Sequence, residues 1–343
     1  MIHIRDGNLI QTNAEALVNT VNCVGVMGKG IALQFKQAFP DNFKLYEKAC
    51  REDQIQIGKM FVVSTDQFVN PKYIINFPTK KHWRNRSKIE YIKTGLQDLI
   101  AQIKDRDIKT IAVPPLGCGN GGLDWHEVRQ LIESAFEEIA DVQVSLYEPH
   151  GAPDANKMPV GTEKPHLTSA RALFIKLIDL YCIPGYRMSL IEIQKLAYFL
   201  QAAGQPLKLQ FVRDKYGPYA ENLNFVLQRL EGHYIRGYGD RSRKTEVHLL
   251  PEALNAAETF LEQDQDATQR LNRVSNLIEG FETPYGLELL GTVHWLSKEN
   301  ENVANNVDIA VKGVRDWNKR KKEQFKPLHI EVAWKRLQEQ NWF

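Results

Sequence analysis

Short apolar runs alternate with longer amphipathic stretches through residues 1–148, and this alternation constrains the fold more than any other feature. The apolar runs predict strands at 16–21, 59–64, 73–77, 110–114 and 143–147, and Pro78 is expected to end the third one. The amphipathic stretches predict helices at 30–39, 43–51, 87–104 and 126–140. Strands that alternate with helices are typical of an α/β sandwich built around a mostly parallel sheet.

The chain changes character after residue 148. Residues 148–165 include four prolines, follow neither the helical nor the strand periodicity, and indicate a linker. Helical periodicity then predicts helices at 168–181, 189–204, 220–230, 251–262, 269–279, 285–298, 304–318 and 329–340, with a hairpin at 234–250. We therefore predict a first domain at 1–150, a linker at 151–164 and a mainly helical second domain at 165–343.

Composition limits the classes of function. The 343 residues suffice for about two domains, and a net charge of +2 means that nucleic acid could be bound only through local basic patches. Four cysteines without a CxxC pair indicate reduced thiols in a cytoplasmic protein, with neither a disulfide framework nor a metal site. We expect no signal peptide and no membrane span, because the chain has no apolar run of sufficient length.

Two glycine-rich loops each connect a predicted strand to a predicted helix. The first glycine loop is residues 22–30 and the second glycine loop is residues 115–122. Glycine lets backbone N–H groups wrap an anion, and the first turn of the following helix supplies further donors. Both loops would lie at the carboxyl ends of strands, where α/β proteins bind ligands, so a phosphate-rich ligand is predicted. The alternative is a pair of flexible turns without a ligand.

A basic segment, residues 80–88, follows the strand predicted at 73–77. A strand end is a rigid place for a reactive amine such as that of Lys80. The segment continues with side chains that suit a polyanion carrying bases, namely His82, Trp83, Arg84 and Arg86. The alternatives are a solvated basic loop and, for Trp83, a place in the hydrophobic core.

Several of these stretches resemble the macrodomain, an ADP-ribose-binding fold; they are residues 7–9, 18–22, 27–32 and 116–119. Residues 76–80, Asn-Phe-Pro-Thr-Lys, are similar to the macrodomain glycohydrolases that use a catalytic lysine. With the helical second domain, the chain resembles the DarG family of antitoxins. That resemblance implies a three-layer α/β/α sandwich and the removal of ADP-ribose that a partner toxin, DarT, attaches to thymidine in single-stranded DNA.

The resemblance also implies a role for each matching residue. Lys80 would be catalytic, and Thr79 would lie with it at the anomeric carbon. Asn8 and Leu9 would meet the adenine. The remaining ADP-ribose-binding residues would be Thr20, Val21, Asn22, Gly28, Gly30, Ile31, Ala32, Leu33, Gln34, Gly117, Cys118, Gly119, Asn120 and Gly121. No cofactor is implied, because ADP-ribose itself is the substrate and product ligand.

Two positions depart from the family pattern. Asn8 stands where many macrodomains have aspartate, and its amide oxygen can still accept from the adenine N6 amine. Gly121 stands where the lysine-dependent glycohydrolases place an aspartate. Asp124 is expected to cap the next helix or to face solvent instead of replacing that acid. Cys23 and Cys118 are expected to be structural, since no histidine adjoins either in sequence.

The sequence leaves the role of Lys80 open. A neutral amine could attack the anomeric carbon; alternatively, Lys80 could protonate or stabilise the departing base, or orient a water molecule. Its pKa would be lowered by Lys81 and by partial burial against Trp83. Two other functions also fit the residues: binding of ADP-ribose without turnover, and hydrolysis of ADP-ribosylated protein or O-acetyl-ADP-ribose.

The second domain carries a charge bias. Residues 251–301 contain ten acidic and three basic side chains. Such a face is either simply solvated or a surface for a basic, DNA-binding partner, which the resemblance identifies as a DarT-like toxin. The basic run at 319–322 is expected to be a solvated helix end, and residues 214–219 a turn before a helix.

Overall fold

The computed structural model describes residues 1–149, 153–182, 186–241, 245–262 and 264–343. Two compact units divide the chain. The first unit is Met1–Glu163 together with Gly239–Lys244, and the second unit is Lys164–Tyr238 together with Thr245–Phe343. Residues 151 and 152 of the predicted linker lie outside the described ranges. Within those ranges, no helix has the length and apolarity needed to cross a bilayer.

The first unit is built on a six-stranded sheet with the order β1-β6-β5-β2-β4-β3. Its strands are β1 (Ile2–Arg5), β2 (Ala16–Asn22), β3 (Phe61–Ser64), β4 (Tyr73–Lys80), β5 (Thr110–Val113) and β6 (Gln143–Tyr147). Every pairing in this sheet is parallel except that of β3 with β4. The sequence predicts five of these strands and misses β1.

Helices cover both faces of the sheet. They are α1 (Gly30–Ala38), α2 (Pro40–Arg51), α3 (Ile89–Asp105) and α4 (Trp125–Glu137). Alternate residues of a strand face opposite sides, so Ala16 and Val18 of β2 pack in the same core as α3 and α4, whereas Leu17 packs with Phe35 of α1. The predicted three-layer α/β/α sandwich with a mixed, mostly parallel sheet is confirmed.

Pro78 does not end its strand, contrary to the sequence prediction. The strand β3 pairs only with residues Tyr73 to Asn76, so β4 beyond Asn76 pairs with β2 alone. Proline has no backbone N–H, and this is tolerated at Pro78 because no strand is hydrogen-bonded to the other side of β4 there. The register between β2 and β4 also shifts at this point, with Val21 opposite Pro78 and Asn22 opposite Lys80. The strand therefore extends rigidly as far as Lys80.

Buried asparagines tie together the two strands that end at the candidate site. Asn76 on β4 accepts from the Asn19 amide on β2 at 3.0 Å and donates to the Asn42 side chain on α2 at 2.7 Å. All three residues are buried. A buried amide without a hydrogen-bond partner destabilises the folded state. This mutual pairing therefore fixes the positions of β2, β4 and α2 relative to one another.

The second unit is mainly helical, as predicted. Its helices are α5 (Ser169–Tyr181), α6 (Leu190–Ala202), α7 (Leu223–Leu230), α8 (Ala253–Leu261), α9 (Gln265–Ile278), α10 (Pro284–Glu299), α11 (Asn302–Asn305), α12 (Val307–Trp317), α13 (Lys319–Gln324) and α14 (Pro327–Glu339). Short strands accompany them: β7 (Met188–Ser189), β8 (Phe211–Asp214), β9 (Gly217–Ala220), β10 (Ile235–Arg236) and β11 (Glu246–Leu249). The hairpin predicted at 234–250 is the antiparallel pair β10–β11.

Three details of the second unit differ from prediction. The helix predicted at 304–318 is divided into α11 and α12, because Asn306 caps α12 by accepting from the N–H groups of Asp308 and Ile309. The stretch at 214–219 is part of the hairpin β8–β9 instead of a turn before a helix. The run at 319–322 is not simply solvated, since Arg320 and the fully buried Lys321 both pair with Glu288 of α10.

Candidate active site

The candidate site lies where three adjacent parallel strands end. The sheet order places β2 between β5 and β4, and the carboxyl ends of these strands share one edge. The first glycine loop follows β2, the basic segment begins at the end of β4, and the second glycine loop follows β5. The topology therefore brings together three segments that lie far apart along the chain, at residues 22–30, 80–88 and 115–122.

Lys80 is the last residue of β4, and its amine contacts the second glycine loop. The Nζ donates a hydrogen bond to the backbone carbonyl oxygen of Asn120. Burial lowers the pKa of Lys80, whereas the repulsion by Lys81 that the sequence predicts is not among the causes of the shift. Among the described residues, no carboxylate pairs with this amine. A carbonyl oxygen accepts more strongly from an ammonium than from a neutral amine, so burial, and not this hydrogen bond, is what favours the neutral lysine.

Gly121 has no room for a side chain. A Cβ at this position would lie 2.1 Å from the Gly117 carbonyl oxygen and 2.3 Å from the Ser87 hydroxyl. The path of the loop itself therefore excludes an aspartate at residue 121. Asp124 does not replace it, because its side chain caps α4 by accepting from the Glu127 N–H, as predicted. The described part of this loop therefore supplies no acid beside Lys80.

The second glycine loop is closed by its own backbone and by the basic segment. The Leu123 N–H donates to the Gly117 carbonyl at 3.1 Å, and the Ser87 N–H donates to the Gly121 carbonyl at 3.0 Å. Gly117 has a φ of +71°, which a side chain would strain. Lys80 and Ser87, at the two ends of the basic segment, thus contact the adjacent carbonyls of Asn120 and Gly121.

The first glycine loop is organised by Asn22. Its side-chain oxygen accepts from the Val24 N–H at 3.0 Å, and its amide donates to the Val26 carbonyl at 2.6 Å. The Tyr46 hydroxyl donates to the Asn22 carbonyl at 2.5 Å. Because both ends of this amide are used inside the loop, Asn22 shapes the predicted ribose pocket instead of offering a free side chain to it.

The amino end of α1 offers some, but not all, of the predicted phosphate donors. The Gly30 N–H donates to the Asp240 carbonyl at 3.0 Å, and the Gln34 side chain donates to the Asp240 carboxylate at 3.2 Å. Lys29, at the N-cap, makes no side-chain cap hydrogen bond. The amides of the first turn that suit a diphosphate are therefore those of Ile31 and Ala32, because the Leu33 N–H donates to the carbonyl of the N-cap residue Lys29.

Asp240 is a residue that sequence reasoning missed. It belongs to the first unit although 76 residues separate it from Lys164, where the second unit begins. Gly239 before it has a φ of +54° and would place a Cβ 2.7 Å from that of Ala155. No local pattern in a hairpin connection indicates contact with a helix about 200 residues earlier, so nothing in the sequence could have revealed it.

At the predicted adenine end, Asn8 presents a donor. Its side-chain oxygen caps the short 3₁₀ helix Leu9–Gln11 by accepting from the Ile10 N–H at 3.0 Å. Its amide nitrogen is buried and has no partner among the described residues. The free group therefore suits an acceptor on the base, such as adenine N1, more than the N6 amine. Leu9 is only 4% exposed and packs in the core with Ile10 and Phe35, so its side chain is not at the surface of the site.

Residues at the carboxyl ends of β2 and β4 adjoin Lys80 in the candidate site. Thr79 is buried, and its hydroxyl donates to the Val21 carbonyl at 3.4 Å. Val21 is also buried, whereas Thr20 and Gly28 remain partly exposed. Thr79 thus links the two strands just before Lys80. Burial raises the pKa of the thiols of Cys23 and Cys118 to about 11, so neither is a ready nucleophile at neutral pH.

The basic segment exposes its aromatic residue. Trp83 is 47% exposed, which excludes the alternative that it lies in the core. Its ring stacks on His82 with 5.4 Å between centroids, and the Arg84 guanidinium lies 4.6 Å from its centroid. Arg86 is exposed. The result is a cationic, aromatic surface that begins at His82, two residues after Lys80.

Comparisons with known proteins agree with this architecture. The family described as Macro domain matches residues 18–132. A DNA ADP-ribosyl glycohydrolase of Thermus aquaticus is 50% identical over 97% of this chain and 92% of its own length. A DNA ADP-ribosyl transferase–DNA ADP-ribosyl glycohydrolase fusion protein of Thermosipho africanus is 34% identical over 42% of this chain and 41% of its own length. The solved macrodomain of Mycobacterium tuberculosis DarG is 59% identical, covers 43% of this chain and 98% of its own, and has a TM-score of 0.43.

The fold and the glycine loops thus define the first unit as a macrodomain. The chain belongs to the DNA ADP-ribosyl glycohydrolase family, a family of hydrolases, because its likeness to the Thermus aquaticus protein extends over both units. The resemblance to DarG that the sequence predicts is confirmed.

Proposed function

We propose that this protein hydrolyses the bond between the anomeric carbon of ADP-ribose and a thymine nitrogen in single-stranded DNA. It would thereby reverse DNA ADP-ribosylation and act as an antitoxin. The observation that carries this proposal is the half-buried Lys80 amine at the end of β4, beside both glycine loops and without an acidic partner among the described residues. The name of the Thermus aquaticus relative, DNA ADP-ribosyl glycohydrolase, supports the same reaction.

Lys80 acts in this proposal as the nucleophile. Its neutral Nζ attacks the anomeric carbon, the bond from that carbon to the thymine nitrogen breaks, and the base leaves with the electron pair and takes up a proton. Water then attacks the same carbon and releases Lys80 and free ADP-ribose. Burial disfavours the protonated amine, which an acid role would require, and so favours the nucleophilic role.

The two glycine loops would hold the rest of ADP-ribose. First-turn amides of α1 would bind the diphosphate from one side, and the second glycine loop would bind it from the other. The buried Asn8 amide would donate to the adenine. No cofactor takes part, since every step uses only the protein, the substrate and water.

The test is to incubate the protein separately with ADP-ribosylated single-stranded DNA, ADP-ribosylated protein and O-acetyl-ADP-ribose. Release of ADP-ribose from the DNA at a much higher rate than from the other two is the expected result. Preferred release from protein or from O-acetyl-ADP-ribose would reject the DNA substrate. Tight binding of ADP-ribose without release from any substrate would identify a binding module instead of an enzyme.

The DNA strand is proposed to lie on the surface formed by His82, Trp83, Arg84 and Arg86. An exposed indole can stack on a base, and flanking guanidinium groups can bind phosphates. These side chains follow Lys80 directly, so a nucleotide whose ADP-ribose reaches Lys80 would have its flanking nucleotides close to this surface. The position of the surface supports a nucleic-acid substrate over a protein one.

Neutralising Arg84 and Arg86 together, as Arg84→Gln and Arg86→Gln, is expected to weaken DNA binding and its dependence on salt. Each phosphate contact that is lost should reduce the slope of log Kd against log salt by about 0.7. The measurement is a titration of single-stranded DNA at several salt concentrations. Arg106→Gln is the matched control, because Arg106 follows the far end of α3, about 25 Å along that helix from the basic segment. An unchanged slope in the double variant would remove the two arginines from the DNA surface.

The second unit is proposed to bind a DarT-like transferase through its acidic stretch, residues 251–301. The Thermosipho africanus fusion protein joins a transferase and a glycohydrolase in one chain, which supports such a pairing. Glu288 is buried against Arg320 and Lys321 and therefore cannot contribute. Eight of the other acidic residues in the stretch are exposed, including Glu262, Asp266 and Glu279.

Exchanging Glu262, Asp266 and Glu279 for lysine is expected to weaken the complex with the transferase roughly tenfold or more at low salt. The wild-type complex should also weaken as salt rises, because exposed charges are screened. The control makes the same number of exchanges on the first unit, at Glu52, Asp105 and Glu138, which are also exposed. Equal weakening by both triple variants, or a complex indifferent to salt, would contradict the acidic surface.

A further inference from the structure

Ser87 carries a buried hydroxyl that no described residue satisfies. The residue is 6% exposed, and its Oγ is buried without a hydrogen-bond partner among the described residues. A buried hydroxyl that has lost water and gained no partner is destabilising, and such groups are uncommon in folded proteins. The reaction proposed above makes no use of this hydroxyl.

The hydroxyl lies directly against the second glycine loop. It is 2.3 Å from the place a Cβ of Gly121 would occupy and 3.2 Å from the corresponding place at Gly117. The backbone of Ser87 is already joined to this loop through its N–H and the Gly121 carbonyl. A small shift of the loop would bring a backbone group into hydrogen-bond range of the hydroxyl, because both glycines expose their backbone to it.

The same loop holds the reactive amine. The Asn120 carbonyl, which accepts from Lys80, belongs to the peptide unit next to the Gly121 carbonyl, which accepts from Ser87. Any displacement of the loop relative to Ser87 therefore also moves the acceptor of Lys80.

We propose that Ser87 is a positioning residue whose hydroxyl pairs with the backbone of the second glycine loop only when ADP-ribose is bound. This inference rests on the proposed function, since it requires that the loop close over ADP-ribose. In the ligand-free protein the hydroxyl, which pairs with no described residue, raises the free energy of the folded state, whereas in the bound protein the hydroxyl is paired. That difference favours the bound position of the loop and with it the placement of Asn120 against Lys80.

The experiment is Ser87→Ala in the full-length chain, with ADP-ribose as the calorimetric probe and thermal unfolding measured without ligand. The unfolding temperature of the free protein should stay the same or rise, because the substitution removes an unpaired buried group. The Kd for ADP-ribose should increase about tenfold, and turnover of ADP-ribosylated DNA at saturating substrate should fall. Ser145→Ala on β6 is the matched control and should leave both binding and turnover unchanged.

Two results would overturn the proposal. A fall of several degrees in the unfolding temperature would mean that the hydroxyl is already paired in the free protein. Unchanged ADP-ribose affinity and turnover in Ser87→Ala would mean that the loop gains nothing from the hydroxyl. Failure of the wild-type protein to bind ADP-ribose is a separate outcome, which would reject the proposed function itself and this inference with it.

Discussion

Lys80→Ala is expected to lower the release of ADP-ribose from ADP-ribosylated single-stranded DNA by about 1,000-fold or more. The amine is the proposed nucleophile, and no other amine or thiol in the site is expected to replace it: Lys81 is exposed and adjacent, and the thiols of Cys23 and Cys118 have a raised pKa. ADP-ribose should still bind, because backbone amides and Asn8 are proposed to hold its diphosphate and adenine. The measurement pairs single-turnover release with the calorimetric Kd for ADP-ribose.

Two further variants separate chemistry from charge. Lys80→Arg keeps a positive charge but has no neutral form at ordinary pH, so it should be as inactive as Lys80→Ala. Lys81→Ala removes an exposed cation of the same segment and should retain turnover. Full turnover in Lys80→Ala with ADP-ribose binding intact would exclude Lys80 from the chemistry.

The pH dependence of turnover follows from the same residue. Burial lowers the pKa of Lys80, and the proposed mechanism requires the neutral amine. Turnover should therefore rise with pH and level off above a midpoint that is lower than the ordinary lysine value of about 10.4. A rate that falls as pH rises through this range would instead indicate that the protonated amine is the active form, as an acid role requires.

Gly121→Asp is expected to disrupt the site instead of completing it. The substitution introduces the acid that the resemblance to lysine-dependent macrodomain glycohydrolases implies, but its Cβ would meet the Gly117 carbonyl at 2.1 Å. Overpacking of this kind costs on the order of 1–3 kcal/mol in the free energy of unfolding, and relief requires the loop to move. Movement of the loop would displace the Asn120 carbonyl from Lys80 and lower both ADP-ribose affinity and turnover.

Gly121→Ala should reproduce most of this loss, because the conflict begins at Cβ and does not depend on charge. Gly119→Asp is the matched control for stability alone, because Gly119 is itself a predicted ADP-ribose-binding residue: it changes the same loop in the same way, but nothing lies within 4 Å of its Cβ position. Chemical denaturation is measured for all three variants, and the Kd for ADP-ribose is measured for the two Gly121 variants. Wild-type stability and increased turnover in Gly121→Asp would show that the loop accepts the acid and that Lys80 benefits from it.

Local periodicity accounts for the part of the fold that could be predicted from sequence. Strand β6 has the predicted bounds, Gln143–Tyr147, and α1 differs from prediction by one residue at its end. Successive side chains of a strand point to opposite faces of the sheet, so the sequence of neighbouring residues is enough to indicate which side chains share a face. The prediction was wrong at Pro78. A strand tolerates proline where no neighbouring strand needs its N–H, and here β3 stops pairing with β4 at Asn76. The residues near Pro78 do not indicate where β3 ends.

The burial or exposure of individual charged and aromatic side chains could not be predicted from the sequence either. Lys321 stands in a run of four cations and is nevertheless fully buried, because Glu288 on α10 pairs with it. Trp83 is exposed, although an aromatic residue next to a strand is often part of a core. Each outcome depends on a partner or a neighbouring surface that lies far away in the sequence.

The sequence by itself determined the alternating α/β order, both glycine loops, the lysine at the end of a strand and the macrodomain resemblance, because short-range patterns carry all of these. Only the tertiary structure decided what surrounds Lys80: a backbone carbonyl in place of an acid, a loop too tight for any side chain at Gly121, a Ser87 hydroxyl that pairs with no described residue, and the contact of Asp240 with α1. These features arise where segments distant in the chain meet at one edge of the sheet. Their geometry depends on strand order and loop path, which no local stretch of residues specifies.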